Sequence, residues 1–148
     1  MNWLAHLYLS EPNPAFRIGN LLPDMVPASA LSGLSTDMLR GAKQHRRIDV
    51  FTDTHPVVRR STSRINPPFR RFGGILVDIF YDHFLARDWQ SFSPIPLREF
   101  AAEIYDSFDR YSPEIPSEAM VHLEHMRQNN WLCAYREIDG ILAALTRL

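Results

Sequence analysis

Within eleven residues, His45-Arg46-Arg47-Ile48-Asp49-Val50-Phe51-Thr52-Asp53-Thr54-His55, the chain carries two imidazoles and two carboxylates. Such groups on a rigid element, with arginines beside them to receive an anion, suit metal-ion chemistry on phosphate esters. His6, Asp24, Asp78, Asp82 and His83 also lie in or beside apolar runs, where surface charges are not expected. Read as a helix at about 100° per residue, Met38, Ala42, His45 and Asp49 fall on one stripe, and Arg40, Lys43 and Arg47 on the other side. The stripe starts apolar and turns into imidazole and carboxylate, so His45 and Asp49 face inward, where charge must be paired or bound to metal. Taken alone, a His45–Asp49 pair at i,i+4 satisfies itself and needs no function.

The stretch around Phe72–Phe84 makes that bland account harder to hold. Its side chains are apolar nearly all round, the mark of a helix in the middle of a bundle. Yet it carries Asp78 and Asp82 at i,i+4, a repulsive pair unless a cation or proton offsets it. An arginine from elsewhere could serve as that partner. His6 alone reads as a satisfied core histidine, and Asp24, after Gly19-Asn20-Leu21-Leu22-Pro23, as a turn or cap residue. Their number lifts them, because bundles build metal sites from histidines and carboxylates spread over several helices. Glu118, His122 and His125 share one helical face, but their neighbours are those of a solvated helix. Cys133 has no evident base beside it, and His55 before Pro56 reads as first-turn structure or an outer group.

The elements that must position these groups are helical. Asn2 is a candidate cap for a helix to Ser10, and Ala15–Leu22 forms a short one before Pro23-Asp24. Ser35 or Thr36 caps a helix to about Asp53, and Pro56 opens the next, which Pro67-Pro68 stops. A central helix is predicted over Phe69–Trp89. Another follows Pro94 and Pro96, with Leu97, Phe100, Ala101, Ile104 and Phe108 at helical spacing. Pro116-Ser117 begins a further helix, and Trp131–Leu148 forms the last. No convincing period-2 run appears. The expected fold class is all-α, a compact single-domain helical bundle over residues 1–148.

Length, 148 residues, suits one domain with a real core. No run approaches the roughly 18–20 apolar residues of a membrane span, and the start lacks the basic region of a signal peptide. The single cysteine makes a reducing cytoplasm the expected location. The net charge of −1 hides a division: residues 40–71 carry +7 and the rest −8. Fifteen of the sixteen basic residues are arginine, the side chain suited to bidentate phosphate or carboxylate contacts. Such a block steers anionic partners, or pairs within the chain. No nucleic-acid-binding motif accompanies it, so neither nucleic acid nor membrane is expected as a partner.

Four motifs in order carry a resemblance. Met1-Asn2-Trp3-Leu4-Ala5-His6-Leu7, Gly19-Asn20-Leu21-Leu22-x-Asp24, His45-Arg46-x-Ile48-Asp49-x-x-Thr52-Asp53 and Asp78-x-x-x-Asp82-His83-Phe84-Leu85 resemble acyl carrier protein phosphodiesterases. Trp131-Leu132-x-x-Tyr135-Arg136-x-x-Asp139 fits as well. That family looks like an unconventional branch of the helical HD-domain phosphohydrolases. The resemblance implies hydrolysis of the phosphodiester that joins 4′-phosphopantetheine to a serine of holo acyl carrier protein, the acidic carrier of fatty acid biosynthesis. It implies Mn²⁺ as the metal, with Mg²⁺ able to replace it. His6, Asp24, His45 and Asp78 are then the expected ligands, and Asp49, Asp82 and His83 complete the catalytic pocket. Arg46 is expected to grip the phosphodiester, and Arg47, Arg59 and Arg60 to dock the carrier. Usual HD proteins have a His-Asp dipeptide; here Arg46 follows His45. Family members are also longer, so C-terminal helices are expected to be lacking and a second copy, as a homodimer, to cover the surface left open. Two other readings stay open: an HD-like phosphohydrolase acting on a nucleotide or small phosphate ester, and a non-catalytic module whose basic face binds an acidic protein.

Overall fold

Prolines and short polar side chains cut the chain into helices, and the computed structural model describes residues 1–146 of it. Among these residues every regular element is helical, as the all-α expectation required. Helix α1 (Trp3–Tyr8) is short. Helix α2 (Pro14–Leu21) starts where the Asn13 side chain accepts from the Phe16 N–H, with Pro14 in its first turn. Ser35 caps α3 (Thr36–Thr54) by accepting from the Met38 N–H. The His55 side chain does the same for α4 (Pro56–Ser63), accepting from the Val57 N–H. Helices α5 (Gly73–Arg87), α6 (Leu97–Tyr111), α7 (Ser117–Gln128), α8 (Trp131–Ala134) and α9 (Ile138–Leu145) follow. No helix among the described residues is long and apolar enough to cross a membrane.

Helices α2 and α3 cross in backbone contact. A β-carbon on Gly19 would stand 2.0 Å from the Met38 carbonyl oxygen, and one on Gly41 would stand 2.0 Å from that of Phe16. Glycine at both positions is what lets the helices meet. The apolar side of the crossing, with Ile18, Leu21 and Met38, is wholly buried and continuous with Leu4, Ile104 and Phe108. Burying each such side chain contributes about 1.5–3 kcal/mol.

Three expectations are corrected. The stretch from Phe69 does not begin the α-helix: Pro67–Phe72 is a 3-10 helix, and α5 starts at Gly73. Nor is α5 buried all round, since Ile75, Phe80 and Phe84 are 40–48% exposed while Val77, Ile79, Asp82, His83 and Ala86 face inward. The last helix divides into α8 and α9 at Glu137, whose backbone is extended (φ −103°, ψ 149°), and just before it the Tyr135 carbonyl accepts from His83 Nδ1 at 2.7 Å. The expected end of that helix at Leu148 lies outside the described residues.

Asn2 stands at the start of α1, but its side chain does not cap it. Asn2 Nδ2 donates to the Tyr135 hydroxyl at 2.7 Å. The cap comes from α5: both carboxylate oxygens of Asp82 accept, from Leu4 N–H at 2.7 Å and Ala5 N–H at 3.0 Å. Complete burial pushes the Asp82 carboxyl up to about 7, although both N–H groups favour its charge. A carboxyl raised in the folded state gives stability that is present below its ordinary value and lost as pH rises through the raised one.

Two outcomes follow for stability. Gly41→Ala should cost near the upper end of about 1–3 kcal/mol, read by denaturant unfolding, because the obstructing atom is backbone and cannot turn aside. Asp82→Asn should be less stable than the parent by about 1–3 kcal/mol at low pH. That gap should shrink as pH rises from 3.8 to about 7; a gap that widens would sink this account of the cap.

Candidate active site

Helices α1 and α3 bring His6 and His45 face to face, with ring centroids 3.9 Å apart and planes 8° from parallel. Asn20 on α2 is wholly buried against them and fixes both rings. Its Nδ2 donates to the His6 carbonyl at 3.1 Å and to Ser10 Oγ at 2.8 Å. Its Oδ1 is left to accept from His6 Nδ1 at 3.1 Å. The Asn20 backbone carbonyl accepts from His45 Nδ1 at 2.7 Å. With each Nδ1 committed as a donor, each Nε2 is the atom offered to the site.

Both Nε2 atoms face oxygen acceptors. His6 Nε2 lies 3.2 Å from Asp49 Oδ1 and 3.1 Å from the Met1 carbonyl oxygen. His45 Nε2 lies 3.2 Å from Asp49 Oδ2 and 3.2 Å from Asp24 Oδ1. A neutral ring would aim a lone pair at these oxygens, so each Nε2 calls for a proton or another cation. Burial opposes protonation of His45, but hydrogen bonds to Asp24 and Asp49, with the Asn20 carbonyl, lift its pKa to about 9. Burial likewise opposes the charge on Asp49, and His45, His6 and the nearby α-ammonium outweigh it and hold its carboxyl far below the ordinary range. That ammonium, on Met1, lies 3.1 Å from Asp49 Oδ1 and 3.4 Å from Asp78 Oδ2. Burial raises the Asp78 carboxyl; the ammonium works against the rise, and Asp53 and Asp49 add to it. The place attracts positive charge.

Ligand atoms of His6, His45 and Asp49 lie within 4.8 Å of one another, a set of two imidazoles and a carboxylate of the kind that can hold a divalent cation. Asp24 adjoins it through His45, and Asp78 through Met1. Through Asp49 the group reaches a cavity of about 670 Å³, with Asp24, Asp49, Asp53 and Asp78 on its acidic side and the buried His6 and His45 behind its lining. Trp3 and Trp131, stacked at 5.3 Å and 7°, belong to the same lining, as do His122 and His125 from α7.

The remaining expected residues stand elsewhere. Asp82 is consumed as the cap of α1 and His83 by the Tyr135 carbonyl; both are buried and neither lines the cavity. Arg46 and Arg47 are exposed on α3 and outside its lining, and Arg60 is exposed on α4. Arg59 lines a second cavity with Arg70. Asp53, the second carboxylate of the eleven-residue stretch, has no expected role but continues the i,i+4 series of His45 and Asp49 along the cavity wall. Asn20 had a signal too, an amide within an apolar run. The pairing of Trp3 with Trp131 had none, as the two are distant in the chain.

An all-helical protein with stacked imidazoles over a carboxylate-lined cavity is the class that fold and site define. Residues 1–148 match the acyl carrier protein phosphodiesterase family over the whole chain. An acyl carrier protein phosphodiesterase of Enterobacter sp. is 37% identical over 146 residues, covering 98% of this chain and 76% of that protein. One from Escherichia coli is 35% identical over 146 residues, again covering 98% and 76%. Another from the same species is 35% identical over 142 residues, covering 95% and 74%. The chain belongs to the acyl carrier protein phosphodiesterase family. No solved structure matches it.

The tautomers can be checked by ¹H–¹⁵N spectra of the imidazoles well above pH 9, past the raised pKa of His45. The parent should show both rings protonated at Nδ1. Asn20→Leu should release His6 alone, since the anchor of His45 is a backbone carbonyl; loss of both tautomers would contradict the assignment.

Proposed function

We propose that the chain hydrolyses the phosphodiester between 4′-phosphopantetheine and a serine of holo acyl carrier protein, giving apo carrier protein and 4′-phosphopantetheine. Membership of the family, whose named relatives are acyl carrier protein phosphodiesterases, supports the reading. The observation that carries it at the residue level is the convergence of two imidazole Nε2 atoms on Asp49 at 3.2 Å each. On the same reading the site is an unconventional HD-type one, in which Asp49, four residues after His45, serves where the usual dipeptide has its aspartate.

His6, His45 and Asp49 would hold a divalent cation, Mn²⁺ or Mg²⁺, with Asp24 and Asp78 beside it; the donor set fits, because both Nε2 lone pairs face oxygens. Bound there, such an ion supplies positive charge for the phosphoryl oxygens and lowers the pKa of water. The residues do the rest by position. Asn20 keeps both rings aimed at Asp49, as partners behind ligands do in metal sites. Asp49 stays ionised, and Asp24 holds the far side of the His45 Nε2. Carboxylates at the mouth would repel an anionic diester, and the guanidinium groups of Arg59 and Arg70 offset this on the neighbouring cavity wall. Arg47, Arg59 and Arg60 receive the acidic carrier, while Arg46, exposed and away from the lining, serves this docking face instead of gripping the diester.

Incubation of holo carrier protein with the protein and Mn²⁺, followed by intact mass, should show loss of the phosphopantetheine mass, and removal of divalent ions with a chelator should stop it. An unchanged carrier mass, with carrier binding retained and indifferent to metal, would favour the non-catalytic module. Hydrolysis of nucleotides but not of holo carrier would favour the general phosphohydrolase. His45→Ala and Asp49→Ala should each weaken Mn²⁺ binding, measured by calorimetry, by about 10–100-fold or more. Arg47→Ala should leave it unchanged.

A further inference from the structure

Two cavities meet at the carboxylate wall, and they differ in chemistry. The first, about 670 Å³, holds the stacked Trp3–Trp131 pair with Ile75 and Ile79, and no arginine or lysine among its described lining residues. The second, about 660 Å³, is lined by Arg59 and Arg70 with Thr62 and Ser63. Asp53 and Asp78 line both. Each volume lies in the usual range of about 300–1,000 Å³ for small-molecule sites. The shared carboxylates therefore stand between a compartment with aromatic and aliphatic walls and no guanidinium group and one that carries two guanidinium groups.

We infer that the substrate crosses this site in one direction, with the pantetheine arm in the Trp3–Trp131 cavity and the acidic carrier protein over the Arg59–Arg70 cavity. The inference rests on the proposed phosphodiesterase function and adds the orientation. The two halves of the substrate differ as the cavities do. Beyond its phosphate the arm is uncharged, a flexible chain with a dimethyl-substituted carbon and two amides. Its carbon skeleton gains most against indole faces and isoleucine side chains, and its amides can bond to Asn2, His122 and His125 in the same lining. The carrier side is anionic. Arg60, Arg64 and Arg71 are exposed around the second cavity's chain segment, extending its positive field. The opposite orientation would press an acidic surface against Asp24 and Asp49 and leave neutral amides facing guanidinium groups.

Calorimetric binding of each half alone tests the direction without needing turnover. Pantetheine, which has no phosphate, and apo carrier protein, which has no arm, are titrated into the parent, Trp131→Ala and the double variant Arg59→Ser/Arg70→Ser. Pantetheine should weaken by about tenfold in Trp131→Ala and stay within twofold of the parent in the arginine variant. Apo carrier should show the reverse. Ile75→Glu, a change at a half-exposed position, should repeat the Trp131→Ala pattern and serves in its place if that variant fails to fold. Equal losses for both ligands in either variant, a reversed pattern, or no pantetheine binding to the parent would overturn the orientation. The parent is assayed alongside for release of the arm from holo carrier. Release with an uncrossed pattern defeats the orientation alone, whereas no release defeats the function and the orientation with it.

Discussion

At Gly19 and Gly41 the backbones of α2 and α3 touch, and the site is built on that contact. The residue after Gly19 is Asn20, and the residue four after Gly41 is His45. With the helices this close, one asparagine reaches His6 through its side chain and His45 through its own backbone carbonyl. A β-carbon at either glycine would drive the helices apart. The imidazoles would then lose their common anchor before any group at the site itself had changed.

What the crossing assembles is a place of unbalanced charge. Asp24 after α2 and Asp49 on α3 face the Nε2 atoms of two buried rings, and Asp78 on α5 joins them through the Met1 ammonium. Low-dielectric surroundings magnify both the attraction and the cost of leaving a group unpaired. Most other buried polar side-chain atoms of the frame have partners, with Trp3 Nε1 and Arg17 Nε as exceptions. Asp82 is the instructive case: a carboxylate removed from water, on the same helix as Asp78, is held by two backbone N–H groups at the start of α1. Asp78 and Asp82 are one turn apart and have different tasks, one facing the cavity and one securing the helix that carries His6.

Much of this was legible in the residues, for local reasons. The stripe Met38, Ala42, His45 and Asp49 depends only on helical period, and it is the inward face of α3. Caps at Ser35 and prolines at helix starts act within a few residues and placed most boundaries. What failed depended on distant partners. The even apolar character of α5 suggested burial on all sides, but which side is covered depends on the helices that pack there, and Phe80 and Phe84 stay exposed. Asp82 and His83 looked like chemistry because buried polar groups look alike in sequence; their partners, Leu4, Ala5 and Tyr135, lie 52–78 positions away. His122 and His125 sit among polar neighbours that described their helix correctly and said nothing of the cavity opposite.

Tyr135 links the two sides of the cavity. Its hydroxyl accepts from Asn2, beside α1, and its carbonyl accepts from His83 on α5, each at 2.7 Å. The segment bearing Trp131 is therefore moored at one residue to the start of α1, which carries His6, and to α5, which carries Asp78. Such a mooring sets the spacing between the Trp131 indole and the carboxylate on α5, and a ligand bridging the two would be selected by its own reach.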